Sequence, residues 1–242
     1  MTALLDITSL TRRFGGLVAV NGVSFTVARG EVVGLLGPNG SGKTTVLNMI
    51  SGSLKPSNGD IRLNGEKVSG WPAHRIARKG IARTFQLVRI LPSLSVAKNI
   101  VTALAFRRAP LWGAAADAAA RDLLTKVGLG GRGNEAAENL TYIDQKRMEL
   151  ARALAADPQL LLLDEWLAGL NPTELRVGID LIASLRDSGI TIVLVEHVME
   201  AVRALCGRCI VMTAGSKIAD GATADVLRDP QVIRAYLGAS HA

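Results

Sequence analysis

Gly37-Pro38-Asn39-Gly40-Ser41-Gly42-Lys43-Thr44 is the stretch on which the reading of the fold turns. It fits G-x-x-x-x-G-K-[ST], a loop that wraps phosphates between a strand and a helix. An apolar strand, Val32-Val33-Gly34-Leu35-Leu36, runs into it, and Thr45, Val46, Leu47, Met49 and Ile50 continue as the first turns of a helix. That context separates a phosphate cradle from a flexible glycine-rich turn. The glycines let the backbone curl so that several N–H groups point at one anion. The new helix adds its positive dipole end. In this reading Lys43 reaches the β- and γ-phosphates of a nucleoside triphosphate and the Thr44 hydroxyl sits on Mg²⁺.

Outward from the loop, helical and strand signals alternate along most of the 242 residues, which predicts an α/β architecture. The length suits one large domain, or a core with one subdomain. Residues 1–31 read as a strand-rich entry, with Gly15-Gly16 and Asn21-Gly22 as turn signals. Phe14 lies beside the first turn, where it either stacks on an adenine or fills core. Past the loop helix, Pro56-Ser57-Asn58-Gly59 is a turn and Ile61-Arg62-Leu63-Asn64-Gly65 a short hairpin arm. Residues 72–79 read as helix and 80–86 as a strand ending in Gln86. From about 94 to 128 the pattern is helical, with an alanine-rich surface stretch at 114–120. With the helix at 144–156 this reads as an inserted helical subdomain.

Leu160-Leu161-Leu162-Leu163-Asp164-Glu165 is a continuous apolar run ending in two acids, the pattern of a strand covered on both faces. A helix at 173–187 leads to a second run, Ile190-Thr191-Ile192-Val193-Leu194-Val195, ending in Glu196-His197. A third, Cys209-Ile210-Val211-Met212, precedes a turn, and the tail from 222 reads as helical. Functional groups of doubly wound sheets gather beyond the carboxyl ends of the strands. Nucleotide hydrolysis needs a carboxylate for Mg²⁺ and a base or orienter for water. Asp164 fits the metal role, Glu165 can activate the water, and His197 can bond the γ-phosphate or hold that water.

Composition excludes several classes. The net charge of +7 would suit nucleic acid or an anionic membrane surface, but the basic residues are dispersed and aromatics are only 4%, too few for a base-stacking platform. A solvated basic bias or a membrane-surface preference remain. No uncharged apolar run reaches the roughly 18–20 residues of a membrane span. The N-terminal residues lack the pattern of a secretory signal, so a cytoplasmic location is expected. Cys206 and Cys209 have C-x-x-C spacing, but no second such pair or paired histidines complete a metal site. Beside an apolar strand they read as buried small residues.

These motifs together resemble the nucleotide-binding subunit of an ABC transporter over nearly the whole chain. The resemblance implies a RecA-like P-loop NTPase core with an antiparallel β arm (residues 1–86 and 157–242) and an inserted helical subdomain (87–156) facing a membrane partner. It makes residues 37–44 with Thr45 the Walker A loop, Asp164 the Walker B acid and Glu165 the catalytic glutamate. Gln86 becomes the glutamine that touches Mg²⁺ and water, His197 the switch histidine, and Phe14 the adenine-stacking aromatic. Ala168-Gly169-Leu170-Asn171 occupies the D-loop. Two subunits would sandwich two ATP molecules head to tail at the cytoplasmic face of the membrane, beneath permease subunits fed by a solute-binding protein. Gly80-Ile81-Ala82-Arg83-Thr84-Phe85-Gln86, Ala168-Gly169-Leu170-Asn171-Pro172, Val195-Glu196-His197 and the ending Ile233-Arg234-Ala235-Tyr236-Leu237-Gly238 look most like the branched-chain amino-acid importer ATPases. Lipopolysaccharide-export ATPases end similarly. Soluble ABC ATPases that act on nucleic acid usually carry tandem cassettes or a long coiled-coil insertion, and this chain has neither.

The sequence departs from the family in two places. The signature Leu-Ser-Gly-Gly-Gln is Leu140-Thr141-Tyr142-Ile143-Asp144 here, with Ile143 where a glycine normally brings its N–H to the γ-phosphate on the opposite subunit. A β-branched residue resists close approach and disfavours positive φ, the latter costing about 1–2 kcal/mol. The expectation is an asymmetric heterodimer, in which a partner's regular signature completes the site on this chain while the site behind Ile143 turns over slowly. The second departure is Trp166, where the family usually has proline.

Overall fold

A computed structural model describes residues 3–238. The chain opens with two long strands, β1 (Ala3–Phe14) and β2 (Leu17–Ala28), paired antiparallel. Both are longer than the short alternating runs suggested, because bulges let the pairing pass through polar stretches. β3 (Val32–Leu36) leads through the glycine loop into α1 (Lys43–Ile50). β4 (Asn58–Leu63) returns to β1 and carries the two-residue β5 (Glu66–Lys67), which closes a sheet in the order β2-β1-β4-β5. α2 (Ala73–Arg78) follows, then β6 (Ile81–Arg83), three residues long, so Gln86 lies in the loop beyond the strand rather than at its end.

The helical stretch is α3 (Val96–Leu104), α4 (Gly113–Lys126) and α5 (Tyr142–Ala155). Ser95 caps α3 by accepting from the Lys98 N–H, and Thr141 caps α5 by accepting from the Asp144 N–H. The alanine-rich segment is not a surface face throughout. Ala116 and Ala120 are fully buried, because their small side chains let α4 lie close to α3 and α5.

β7 (Leu160–Asp164), α6 (Pro172–Asp187), β8 (Thr191–Val195), α7 (Met199–Leu205) and β9 (Arg208–Thr213) complete the parallel sheet. A strand with little apolar character, β10 (Ser216–Ala222), adds antiparallel at the edge, giving the order β10-β9-β3-β8-β7-β6. The segment after 222 is helical as expected, in α8 (Thr223–Val226) and α9 (Pro230–Gly238).

Every residue of β3, β7 and β8 is buried, and alternation explains why. Leu161, Leu163, Ile192 and Leu194 face a core shared with α3–α7, whereas Leu160, Leu162, Val193 and Val195 face α1 and the β arm. Apolar side chains are needed on both sides of such a strand. Cys206 and Cys209 are free and buried. The Cys209 Sγ lies 2.9 Å from where a Cβ on Gly34 would stand, so the thiols fill space against the strand that feeds the loop.

Candidate active site

The loop after β3 curls because three glycines take left-handed φ: Gly37 (143°), Gly40 (76°) and Gly42 (101°). Side chains are excluded at two of them, since a Cβ on Gly37 would stand 2.1 Å from the Met212 carbonyl oxygen and one on Gly42 2.6 Å from that of Ala19. Gly42 is also the N-cap of α1 and offers no side-chain cap, so the first amides of the helix face outward from its positive end. Lys43 is buried, and its Nζ donates to the carbonyls of Gly37 (2.7 Å) and Pro38 (2.9 Å), spanning the loop. Burial lowers the Lys43 pKa, while Glu165 and Asp164 pull it back up. The Ser41 hydroxyl is buried with no hydrogen-bond partner, a donor suited to an anion in the cradle.

β7 ends in Asp164, and Glu165 then takes a left-handed φ of 52°, fixed by its N–H bond to the Val195 carbonyl (2.8 Å). This turn swings its carboxylate out of the strand line and toward the glycine loop. Gln86 Nε2 donates to one Glu165 oxygen at 2.8 Å, and His197 Nε2 lies 3.1 Å from the other. Residues 39–45, Gln86, Glu165, His197 and Ala19 line one cleft of about 480 Å³. Three strand ends and a loop distant in sequence thus converge on one space of a size for a triphosphate and an attacking water.

Asp164 is less simple. Its Oδ2 accepts from Arg83 Nη2 at 2.8 Å in a pair almost wholly out of solvent. Arg83 is held in turn by Asn48 Oδ1 (2.6 Å). Sequence reasoning passed over Arg83, although a lone arginine inside the apolar strand Ile81-Ala82-Arg83 requires a buried anion. It also passed over Tyr236, whose hydroxyl accepts from the Gly37 N–H (2.8 Å) and so ties α9 to the start of the loop.

Phe14 is 45% exposed, which excludes the core alternative. The Arg12 guanidinium covers its ring at 4.5 Å, and the arm residue that lines the cleft is Ala19. Leu140 is buried, and none of residues 140–144 lines the cleft of its own chain. Thr141 donates to Asp144 Oδ2 (2.8 Å), and Asp144 is ion-paired to Arg132 (2.6 Å) and Arg147 (3.1 Å). These bonds, led by Arg132, outweigh burial and lower the Asp144 pKa. One expectation needs correction. Ile143 lies in the first turn of α5 and is not among the residues with positive φ, so no left-handed strain attaches to it. What it adds is the bulk of a half-buried, β-branched side chain beside a helix N-terminus.

The ABC transporter family model matches residues 20–168. The chain belongs to that family. It is an ABC ATPase, a nucleotide-binding, ATP-hydrolysing transporter subunit with the RecA-like P-loop core expected. A second model, branched-chain amino acid ATP-binding cassette transporter, matches residues 216–242. The ABC ATPase is 40% identical to the high-affinity branched-chain amino acid transport ATP-binding protein BraF of Pseudomonas aeruginosa, over 97% of this chain and 98% of that one. Identity to LivG of Escherichia coli, which carries the same description, is 41% with the same coverage. Identity to the lipopolysaccharide export system ATP-binding protein LptB of Escherichia coli is 35%, over 98% of each chain. Among solved structures, the ADP conformation of an ABC transporter cassette superposes with a TM-score of 0.88 at 28% identity, over 98% of this chain and 100% of that one.

Two buried acids flank the site of this ABC ATPase. Glu196 Oε1 accepts from the Leu167 N–H (2.6 Å) and Glu149 Oε1 from the Arg89 N–H (3.1 Å), while the second oxygen of each has no partner. Burial pushes both carboxyls up from 4.5 to about 7. Because the folded-state values lie above the unfolded one, the native chain keeps protons that the unfolded chain releases. The stability these two groups contribute is therefore fully present below 4.5 and is lost as pH rises through about 7. Each shift corresponds to roughly 3 kcal/mol. Urea unfolding at about pH 5 and about pH 8 should show a falling midpoint for the native chain and a smaller fall for Glu196→Gln. An equal fall in both would contradict the assignment.

Proposed function

We propose that this chain is the ATP-hydrolysing subunit of an importer for branched-chain amino acids or a similar small polar solute, which passes through separate membrane subunits. The observation that carries the reading is the near-full-length likeness to BraF and LivG, reinforced by the independent match at residues 216–242. No helix among the described residues is long and apolar enough to cross a membrane, in keeping with a subunit that docks on permeases from the cytoplasmic face. In this reading residues 87–156 are the helical portion that meets those permeases, and the described residues on either side of it, 3–86 and 157–238, are the core. A solute-binding protein delivers the solute from the far side, and nucleic acid has no part.

In this reading ATP lies along residues 37–45, with its phosphates on the loop amides, the Ser41 hydroxyl and Lys43, and its adenine near Phe14. Mg²⁺ would be held by the Thr44 hydroxyl, Gln86 and Asp164. Hard oxygens suit it, and Asp164 accepts on two oxygens, so the Arg83 bond leaves one for the metal's shell. Among the described residues no cluster of three or more His, Cys, Asp or Glu could hold a metal unaided, which fits an ion that relies on substrate phosphates. When bound, Mg²⁺ supplies charge neutralisation at the β- and γ-phosphates. Glu165, steadied by Gln86 and His197, orients the water and receives its proton.

Residues 140–144 serve a second ABC ATPase subunit, and that subunit's signature closes over residues 37–45. Ile143 makes the pair asymmetric, and a heterodimer is the assembly that tolerates it. The 35% identity to LptB keeps a lipopolysaccharide-export role as the second reading. Reconstitution with the co-purifying membrane subunits in proteoliposomes separates the two. Stimulation of ATP hydrolysis by loaded solute-binding protein is the expected result, and stimulation by lipopolysaccharide instead would overturn the importer reading.

A further inference from the structure

Trp166, the second departure from the family pattern in the sequence reading, is fully accommodated by the fold. The residue is 2% exposed, and its Nε1 donates to the Lys146 carbonyl at 3.1 Å. Lys146, on α5 and equally buried, answers in the opposite direction. Its Nζ donates to the Trp166 carbonyl (2.9 Å) and the Ala168 carbonyl (2.7 Å). The same ammonium lies 4.8 Å from the centroid of the Tyr142 ring, within the signature. Space for the indole is made on α6, where a Cβ on Gly178 would stand 2.5 Å from Leu167 Cδ2 and 3.3 Å from Trp166 Cζ3. Three hydrogen bonds therefore join the first turns of α5 to the segment just after Glu165, while the cation–π contact, internal to α5, ties the bonded ammonium to Tyr142. Buried and reciprocally satisfied bonds of this kind define one arrangement rather than several.

We propose that Trp166 and Lys146 are positioning residues that make the signature of this chain and its residues 166–169 move as one body. A shift of α5 then carries the backbone that follows Glu165 with it, so closure of the signature on a partner's ATP and alignment of this chain's own Glu165 are mechanically tied. Proline, which lacks a side-chain donor, cannot make the indole bond. The catalytic consequence rests on the ATPase reading above, whereas the mechanical coupling does not.

Trp166→Phe keeps one aromatic ring and removes the donor, and Lys146→Met keeps an apolar stem and removes the ammonium. Hydrogen exchange on the isolated chain reads the coupling without any transport assay. Either substitution should lower amide protection in both 142–146 and 166–169, and loss confined to the mutated segment would overturn the proposal. In the assembled complex each single variant should lose roughly 10- to 100-fold in kcat at an ATP KM within about twofold of normal, the scale of a small misplacement of reacting groups. The double variant should be no worse than the weaker single one. Unchanged kcat in the folded single variants, or losses that multiply, would refute the coupling. A native complex with no ATP turnover at all would instead refute the ATPase reading and leave the exchange result to decide.

Discussion

Glu165→Gln is expected to leave ATP binding near normal and to cut steady-state hydrolysis by roughly 10²–10⁴-fold, the span of a lost general base. The geometry makes the substitution clean. Glu165 is set by its backbone, through the left-handed turn at the end of β7 and the bond from its N–H to Val195, and these do not depend on the carboxylate. Its oxygens lie at 2.8 Å from Gln86 Nε2 and 3.1 Å from His197 Nε2. An amide of the same shape keeps an oxygen for one neighbour but cannot accept the proton of an attacking water. The phosphate-binding residues belong to another element, so affinity should survive. Parallel measurement of nucleotide binding and phosphate release in the assembled complex checks this. Near-normal turnover would refute the assignment of Glu165 as base.

Ile143→Gly carries the second large effect, and it is a gain. Thr141 caps α5, and the Asp144 N–H turns back to the Thr141 hydroxyl, so the amides of the first turn sit at a positive helix end that is no part of this chain's own cleft. A γ-phosphate held by a partner would meet that end. Since Ile143 sits in ordinary helical backbone, its amide is present, and only the branched side chain stands in the way of close approach. Removing it should speed the partner's site, with a ceiling of roughly 10²–10³-fold set by the worth of one well-aimed donor. Glycine in a helix interior costs up to about 1 kcal/mol, a modest penalty on stability beside that gain.

How much of this was legible without coordinates follows from the kind of signal each element carries. The phosphate loop, β7 and β8 were plain, because a glycine pattern and short continuous apolar runs leave few alternatives. β10 was missed, since Ser216-Lys217-Ile218-Ala219-Asp220-Gly221-Ala222 is an edge strand with one covered side and no apolar periodicity to announce it. The alanines at 116 and 120 were placed on the surface because alanine is compatible with either face of a helix, and only the packing of α4 decides. Asp164 and Glu165 could be named, but the Arg83 partner joins strands 81 residues apart, and pairing over such separation leaves no local trace. The backbone of Ile143 was misjudged for a related reason. The glycine it replaces suggested an unusual conformation, whereas the cap at Thr141 draws the segment into plain helix. Trp166 was visible as an oddity, and its partner Lys146 was not.

In the proposed assembly the signature of this chain acts on an ATP bound by a different subunit. A complex in which this chain already carries Glu165→Gln isolates that action, because in the proposed heterodimer the hydrolysis that remains belongs to the partner's site. The residual phosphate-release rate is compared with and without Ile143→Gly in the same chain. The added glycine is expected to raise the residual rate by at least about tenfold, within the ceiling of one donor made accessible. A residual rate unchanged by the glycine would contradict it.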